Sequence, residues 1–269
     1  MLIYLWLINF LFSLVIITPV YFLINRDYSR SLMGNRLLQG IDLLWLGDII
    51  YKYQDILPAL TGWMLFPAIL FLALYVFLNG GIIGRVIAED EKTNLSSFFG
   101  DCGKYFFRFL RVFLISAVGY IILFGVIFKF FSALFNLWTK NASTEWTVTI
   151  ASNLLFLIQI LLFSIVGMFF DYVKVRLVAE DSRKTLKATI ANFSFIGKKF
   201  FKAWALYLLV GIISILLGIV FVGVSNILPK GGTSLIVLFI WQQIYIFSKM
   251  WVKVLFFSTE YNFLRVHKI

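Results

Sequence analysis

From Ile56 to Gly84 not one side chain carries a charge, and five further stretches are as uniform: Met1–Asn25, Val112–Phe128, Trp146–Phe170, Ala203–Pro229 and Gly231–Ser248. A run of about 20 apolar residues crosses the hydrocarbon core of a bilayer as a helix. In lipid each backbone N–H and C=O must be satisfied internally, which leaves only helices and closed barrels. Barrel strands alternate in polarity over about 10 residues, whereas these runs are unbroken Leu, Ile, Phe and Val. Composition agrees: 61% of residues are hydrophobic and 14% charged, against about 45–50% and 25% in soluble domains. The expected fold is all-α, a polytopic bundle of six transmembrane helices forming one integral membrane domain over residues 1–269.

Met1–Asn25 has no basic n-region, too long an apolar part for a signal peptide and no small-x-small cleavage site, so it reads as a retained first span. Basic residues near span ends stay on the cytoplasmic side. With six spans, 17 of the 24 basic residues fall on one face: Arg85 to Arg111, Lys174 to Lys202, and Lys249 to Lys268. Six fall on the other. Lys129, about 27 Å along the third span from Arg111, reaches the outer interface by snorkelling. Both termini are then expected to be cytoplasmic.

The stretch GRVIAEDEKTNL, Gly84–Leu95, returns as VRLVAEDSRKTL, Val175–Leu186. At this gapless offset Arg85 falls on Arg176, Glu89 on Glu180, Asp90 on Asp181 and Lys92 on Arg183, and farther on Arg108 and Arg111 fall on Lys199 and Lys202. Such a repeat implies a duplicated helix–elbow–helix unit, the first over about 56–138 and the second over about 146–229, flanked by spans 1–25 and 231–257. Both units enter from the same side, so they are parallel repeats about an axis near the membrane normal. Within each copy Arg and Glu stand four apart, a pairing worth only a few tenths of a kcal/mol when exposed. A stronger arrangement crosses the copies, Arg85 to Glu180 and Arg176 to Glu89, as a charge lock between the halves.

The elbows, Asn94–Phe107 and Thr185–Lys198, mix Phe, Leu and Ile with polar residues and read as short interfacial helices that anchor in the bilayer surface or offer a docking face to a membrane-protein partner. The segment 26–55 also has helical spacing, with Leu37, Leu38, Ile41, Leu44, Trp45 and Ile49 on one stripe, as suits an amphipathic helix on the outer leaflet. Polar residues inside spans are few. Gln159, Gln242 and Gln243 serve either interhelical hydrogen bonding or a transport path between the repeats. Gly211, Ser214 and Gly218 read as a close-packing face. Lys174, Lys249 and Lys253 gather near inner span ends, where they either bind an anionic lipid headgroup or act as ordinary positive-inside anchors.

Chemistry is restricted by scarcity. Cys102 is the sole cysteine and His267 the sole histidine, which leaves no internal disulfide, no Cys- or His-rich metal site and no convincing nucleophile–base arrangement. No Walker sequence or Gly-x-Gly-x-x-Gly appears, and Gly80, Gly81 and Gly84 suit close helix packing. No catalytic residue, metal ligand, cofactor site or nucleic-acid partner is expected.

The order of Pro19 in a long first span, GIDLLWLGDII (Gly40–Ile50), the two Ala-Glu-Asp elbows and WQQIYIFSKMWVKVLFFSTEYNFL (Trp241–Leu264) resembles a group of uncharacterised bacterial six-span proteins. More loosely it is similar to YciC-like proteins and to the membrane domain attached to some glycerophosphodiester phosphodiesterases. The resemblance implies an inner-membrane helical fold and brings no activity with it. The functional expectation is a non-catalytic membrane protein acting through partners or lipids. The alternative is a small transporter or channel with its path between the repeats.

Overall fold

Each of the six apolar runs is helical where the computed structural model describes it, over residues 1–28, 47, 50–55, 57–88, 94–140, 144–229 and 234–268. Most of the amphipathic segment 26–55 lies outside the described residues, as do Glu89 and Asp90 of the first elbow. The helices are α1 (Leu2–Tyr28), α2 (Leu57–Ile87), α3 (Leu95–Ile122), α4 (Lys129–Thr139), α5 (Glu145–Ala179), α6 (Thr185–Ile227) and α7 (Ser234–Lys268), with a π-helical segment, Leu123–Phe128, joining α3 to α4. Among the described residues there is no strand. Six helical stretches are long and apolar enough to cross a bilayer: the chain is a multi-pass helical membrane protein. Large apolar side chains accordingly stay outward along them, among them Phe66, Ile121, Phe156, Phe163, Ile219 and Ile240.

The chain divides into two compact units, Met1–Tyr75 with Ile213–Lys253, and Val76–Ile212 with Val254–Ile269. In the first, aromatic contacts tie α1 to its neighbours: Phe10 meets Phe239 with ring centroids 6.3 Å apart and Phe12 meets Phe71 at 5.7 Å. The latter half of α6 joins α7 through Phe221 stacked on Tyr245 at 4.3 Å, while the Trp241 indole donates to the Phe221 carbonyl at 3.2 Å. Gly218 approaches the Tyr245 hydroxyl, whereas a Cβ on Gly211 would meet nothing within 4 Å. The expected close-packing face therefore does not extend to Gly211.

In the second unit α2 and α3 pack antiparallel. Gly80, Gly81 and Gly84 make the approach possible: a Cβ on Gly81 would lie 2.6 Å from both Cys102 Sγ and Phe98 Cε2. Phe98, Cys102, Tyr105, Phe109, Val112 and Ser116 are buried along one face of α3, spaced three and four apart as one continuous stripe. That continuity explains a departure from the expected elbow: Leu95–Phe107 is the first part of a helix running unbroken to Ile122. The second elbow is separate, because α6 breaks at Lys199 (φ −130°, ψ 24°). Near its C-terminal end α5 is enclosed on all sides, with Tyr172, Val173, Val175 and Leu177 fully buried. Asn192 there donates to the Phe169 carbonyl at 3.1 Å, and Trp204 to the Ser164 hydroxyl at 3.0 Å.

Candidate functional site

α5 ends in a Schellman motif: the Ser182 N–H reaches the Leu177 carbonyl and the Asp181 N–H the Val178 carbonyl, each at 3.1 Å. This closure places Asp181 at φ 43°, a left-handed position usually taken by glycine and otherwise by Asn or Asp. Its carboxylate accepts from Arg108 Nη1 at 2.7 Å and faces Lys104 Nζ at 3.2 Å, both on α3. Arg108 Nη1 also lies 3.3 Å from the Ser182 carbonyl it donates to, and its guanidinium packs over the Tyr105 ring at 5.1 Å. The hydrogen bond from Arg108, then that from Lys104, hold the Asp181 carboxyl below the usual aspartate range. An ion-pair link between the two elbow regions is thus present, made by Arg108, Lys104 and Asp181.

Of the four residues expected to form that link, three are described: Arg85, Arg176 and Glu180. Arg85 donates through Nε at 2.9 Å and through Nη2 to the same oxygen of Asp101, on the facing helix α3. Arg176 donates through Nε to Glu180, four residues on, at 2.8 Å. Glu89 lies outside the described residues. Asp101 was not singled out by sequence reasoning, since a partner 16 positions away leaves no local spacing signal. At the 91-residue offset that aligns the two Ala-Glu-Asp stretches, position 101 falls on Asn192, which is fully buried. Gly84 belongs to the same contact: a Cβ there would meet Asp101 Oδ2 at 2.6 Å.

Around the C-terminal ends of α5 and α7 further polar groups are enclosed. Glu260 is 1% exposed, and neither of its carboxyl oxygens has a hydrogen-bond partner. The buried Tyr172 hydroxyl also lacks one. Asp171 and Lys174, paired at 2.7 Å, lie within electrostatic reach of Glu260. Lys174 is therefore turned into this cluster, with its side chain 18% exposed. One turn on, Arg176, Ala179, Tyr261, Leu264 and Arg265 line a cavity of about 140 Å³. Another, of about 360 Å³, has an apolar lining that includes Gly119, Phe169, Phe193 and Phe200.

In the other unit Lys253 sits over the Tyr75 ring at 3.6 Å and Lys249 over Tyr245 at 5.6 Å. A cavity of about 560 Å³ there is lined by Trp6, Asn9, Ser13, Phe71, Gln242 and Gln243 among others. Gln243 accepts from the Trp6 indole at 3.0 Å. Gln242 and Gln243 thus face α1, while Gln159 belongs to α5 in the second unit. Among the described residues no three His, Cys, Asp or Glu side chains converge as a metal site would require. Comparison with protein-family models, with curated proteins and with solved structures finds no match to this chain.

Proposed function

We propose that this chain is a non-catalytic protein of a bacterial cytoplasmic membrane, with both termini cytoplasmic, that works by holding membrane-protein partners or anionic lipids against its two elbow regions. The observation that carries this reading is the Arg108–Lys104–Asp181 clamp, which fastens both regions into one body. Beside it the surface is apolar and basic at once: Leu95, Phe107, Leu186, Ile190 and Phe193 are exposed, with Lys187 and Lys198 between. Such a surface suits the boundary between acyl chains and anionic headgroups. The repeat of the two Ala-Glu-Asp elbows supports a parallel duplicated unit, in which the clamp would be the link between halves.

A second reading, a small transporter or channel, draws on the amide-lined cavity of Asn9, Gln242 and Gln243. Neutral amides at that depth are costly without a partner, so a path would run beside α1. Purification in mild detergent followed by mass spectrometry separates the two. The first reading expects a stoichiometric companion or a tightly retained anionic phospholipid. A chain that purifies alone, lipid-stripped, yet carries a solute across liposomes on its own would replace it with the second.

A further inference from the structure

We propose that the chain holds one acyl chain of an anionic glycerophospholipid in the apolar cavity beside the break in α6, with the lipid phosphate on Lys198, Lys199 and Lys202. The inference rests on the anionic-lipid reading above and narrows it to one place and one binding mode. The cavity, about 360 Å³, lies between α3, α5 and α6, and its walls include Gly119, Val166, Phe169, Phe193, Gly197 and Phe200. Every residue lining it is apolar or glycine. A sugar or a nucleotide would bury polar groups there without partners, so the occupant is hydrocarbon. At about 30 Å³ for a water-sized group, which a methylene also is, the volume takes roughly a dozen such groups, the bulk of a long stretch of one acyl chain.

The walls are fixed on two sides. Asn192 donates to the Phe169 carbonyl at 3.1 Å and Phe193 meets the Phe169 ring edge-on at 5.6 Å, which seats the first part of α6 on α5. Opposite, Gly119 lets α3 approach Phe170, whose ring a Cβ there would meet at 3.1 Å. Hydrocarbon alone selects no lipid, because one lipid tail is as apolar as another. Charge does select. From Thr185 to Ile227, α6 carries Lys187, Lys198, Lys199 and Lys202 and no acidic residue. Among the described residues no carboxylate pairs with Lys198, Lys199 or Lys202. Lys198 and Lys202 are exposed, and Lys198 and Lys199 fill the two positions between the lining residues Gly197 and Phe200. Their depth suits a headgroup. Lys199 stands 28 residues before Ile227, the last residue of α6, about 42 Å along the helix, whereas the hydrocarbon core spans about 30 Å. Lysines clustered beside a span attract anionic headgroups; a zwitterionic lipid brings the same tail with an opposing cation, so its attraction is smaller.

The test uses the full chain in an uncharged detergent. Its thermal unfolding midpoint is measured in mixed micelles with phosphatidylglycerol, with phosphatidylcholine of the same acyl chains, and with glycerol 3-phosphate, which has the anion and no tail. A ligand that binds only the folded chain raises the midpoint. The largest rise is expected with phosphatidylglycerol, a smaller one with phosphatidylcholine and none with glycerol 3-phosphate. At Gly197 an added Cβ meets nothing within 4 Å, so Gly197→Phe can fill the cavity while removing no charge, and it should erase most of the excess rise with phosphatidylglycerol. Lys198→Gln with Lys202→Gln should weaken phosphatidylglycerol retention by about tenfold or more and leave that of phosphatidylcholine unchanged. Equal rises with the two phospholipids, a rise with glycerol 3-phosphate as large as with phosphatidylglycerol, or an excess that Gly197→Phe leaves intact overturns the proposal. In the last case anionic lipid is held elsewhere and the functional reading stands without this site; that reading falls only if the chain retains neither phosphatidylglycerol nor a protein companion. If Gly197→Phe does not fold, Gly197→Leu, a smaller filler of the same space, decides by the same criterion.

Discussion

Asp181 shows how one residue can serve backbone and electrostatics together. Its left-handed conformation ends α5, and the same turn presents its carboxylate to Arg108 and Lys104. Asn tolerates that conformation as well as Asp does, so Asp181→Asn isolates the charge. With the Asp side chain 57% exposed, the expected loss at pH 7 is about 1 kcal/mol or less, read as a small drop in unfolding midpoint. The pH dependence has a definite sign. A folded-state value held below the ordinary aspartate range gives stability that is complete above about pH 3.9 and disappears as pH falls through the folded value. The difference between wild type and Asp181→Asn should therefore be full at neutral pH and shrink in acid. A difference that grows in acid would mean the carboxylate is not stabilised in its charged form. Arg176 takes the partner that i, i+4 spacing offers, Glu180, but the partners of Arg85 and Asp181 were not visible in the sequence. Arg85 chooses Asp101, and Asp181 is chosen by Arg108 73 positions away. Such choices follow from helix packing and chain reversal, which i, i+4 spacing does not encode.

At the scale of elements, what was legible is what hydrocarbon enforces. A charge inside a span is costly enough that its absence marks the six helices without any propensity argument. Breaks within helices were harder to see. The kink at Lys199 has only Gly197 nearby as a marker, and Leu123–Phe128 winds as a π-helix around Gly125 in a run whose apolar character never changes. Conversely, Gly100 and Gly103 leave α3 unbroken, because its buried stripe runs straight through them. The α2–α3 contact gives the element-scale prediction. At Gly81 an added methyl meets Cys102 Sγ and Phe98 Cε2, both 2.6 Å away, and Gly84 is blocked by Asp101. Gly81→Ala should cost about 1–3 kcal/mol through overpacking, seen as a lowered thermal midpoint. Adding Cys102→Ala should recover only part, since Phe98 still obstructs. Full recovery would show that the thiol alone sets the spacing of the two helices.

For the whole molecule, sequence and structure agree on six helices long and apolar enough to cross a bilayer but speak to different properties of them. Helix length and hydropathy establish that the chain can cross a bilayer six times; direction rests on the 17-to-6 division of basic residues and on the tendency of such residues to stay cytoplasmic. Helix overrun is informative about where charge collects. α5 and α7 have 35 residues each, about 15 more than a crossing needs, and their C-terminal ends hold Asp171, Lys174, Arg176, Glu260 and Arg265. If those ends are cytoplasmic, Lys140, in the turn between α4 and α5, faces outward and Arg183, between α5 and α6, faces inward. Cys102→Ala supplies a thiol-free background, and Lys140→Cys and Arg183→Cys can then be placed one at a time. In intact cells an impermeant thiol reagent should label residue 140 and spare residue 183; after permeabilisation both should react. Labelling in the opposite order would invert the protein and place the Asp181 clamp outside the cell. Labelling of both in intact cells would break the six-crossing arrangement, because α5 has one of these positions beyond each of its ends.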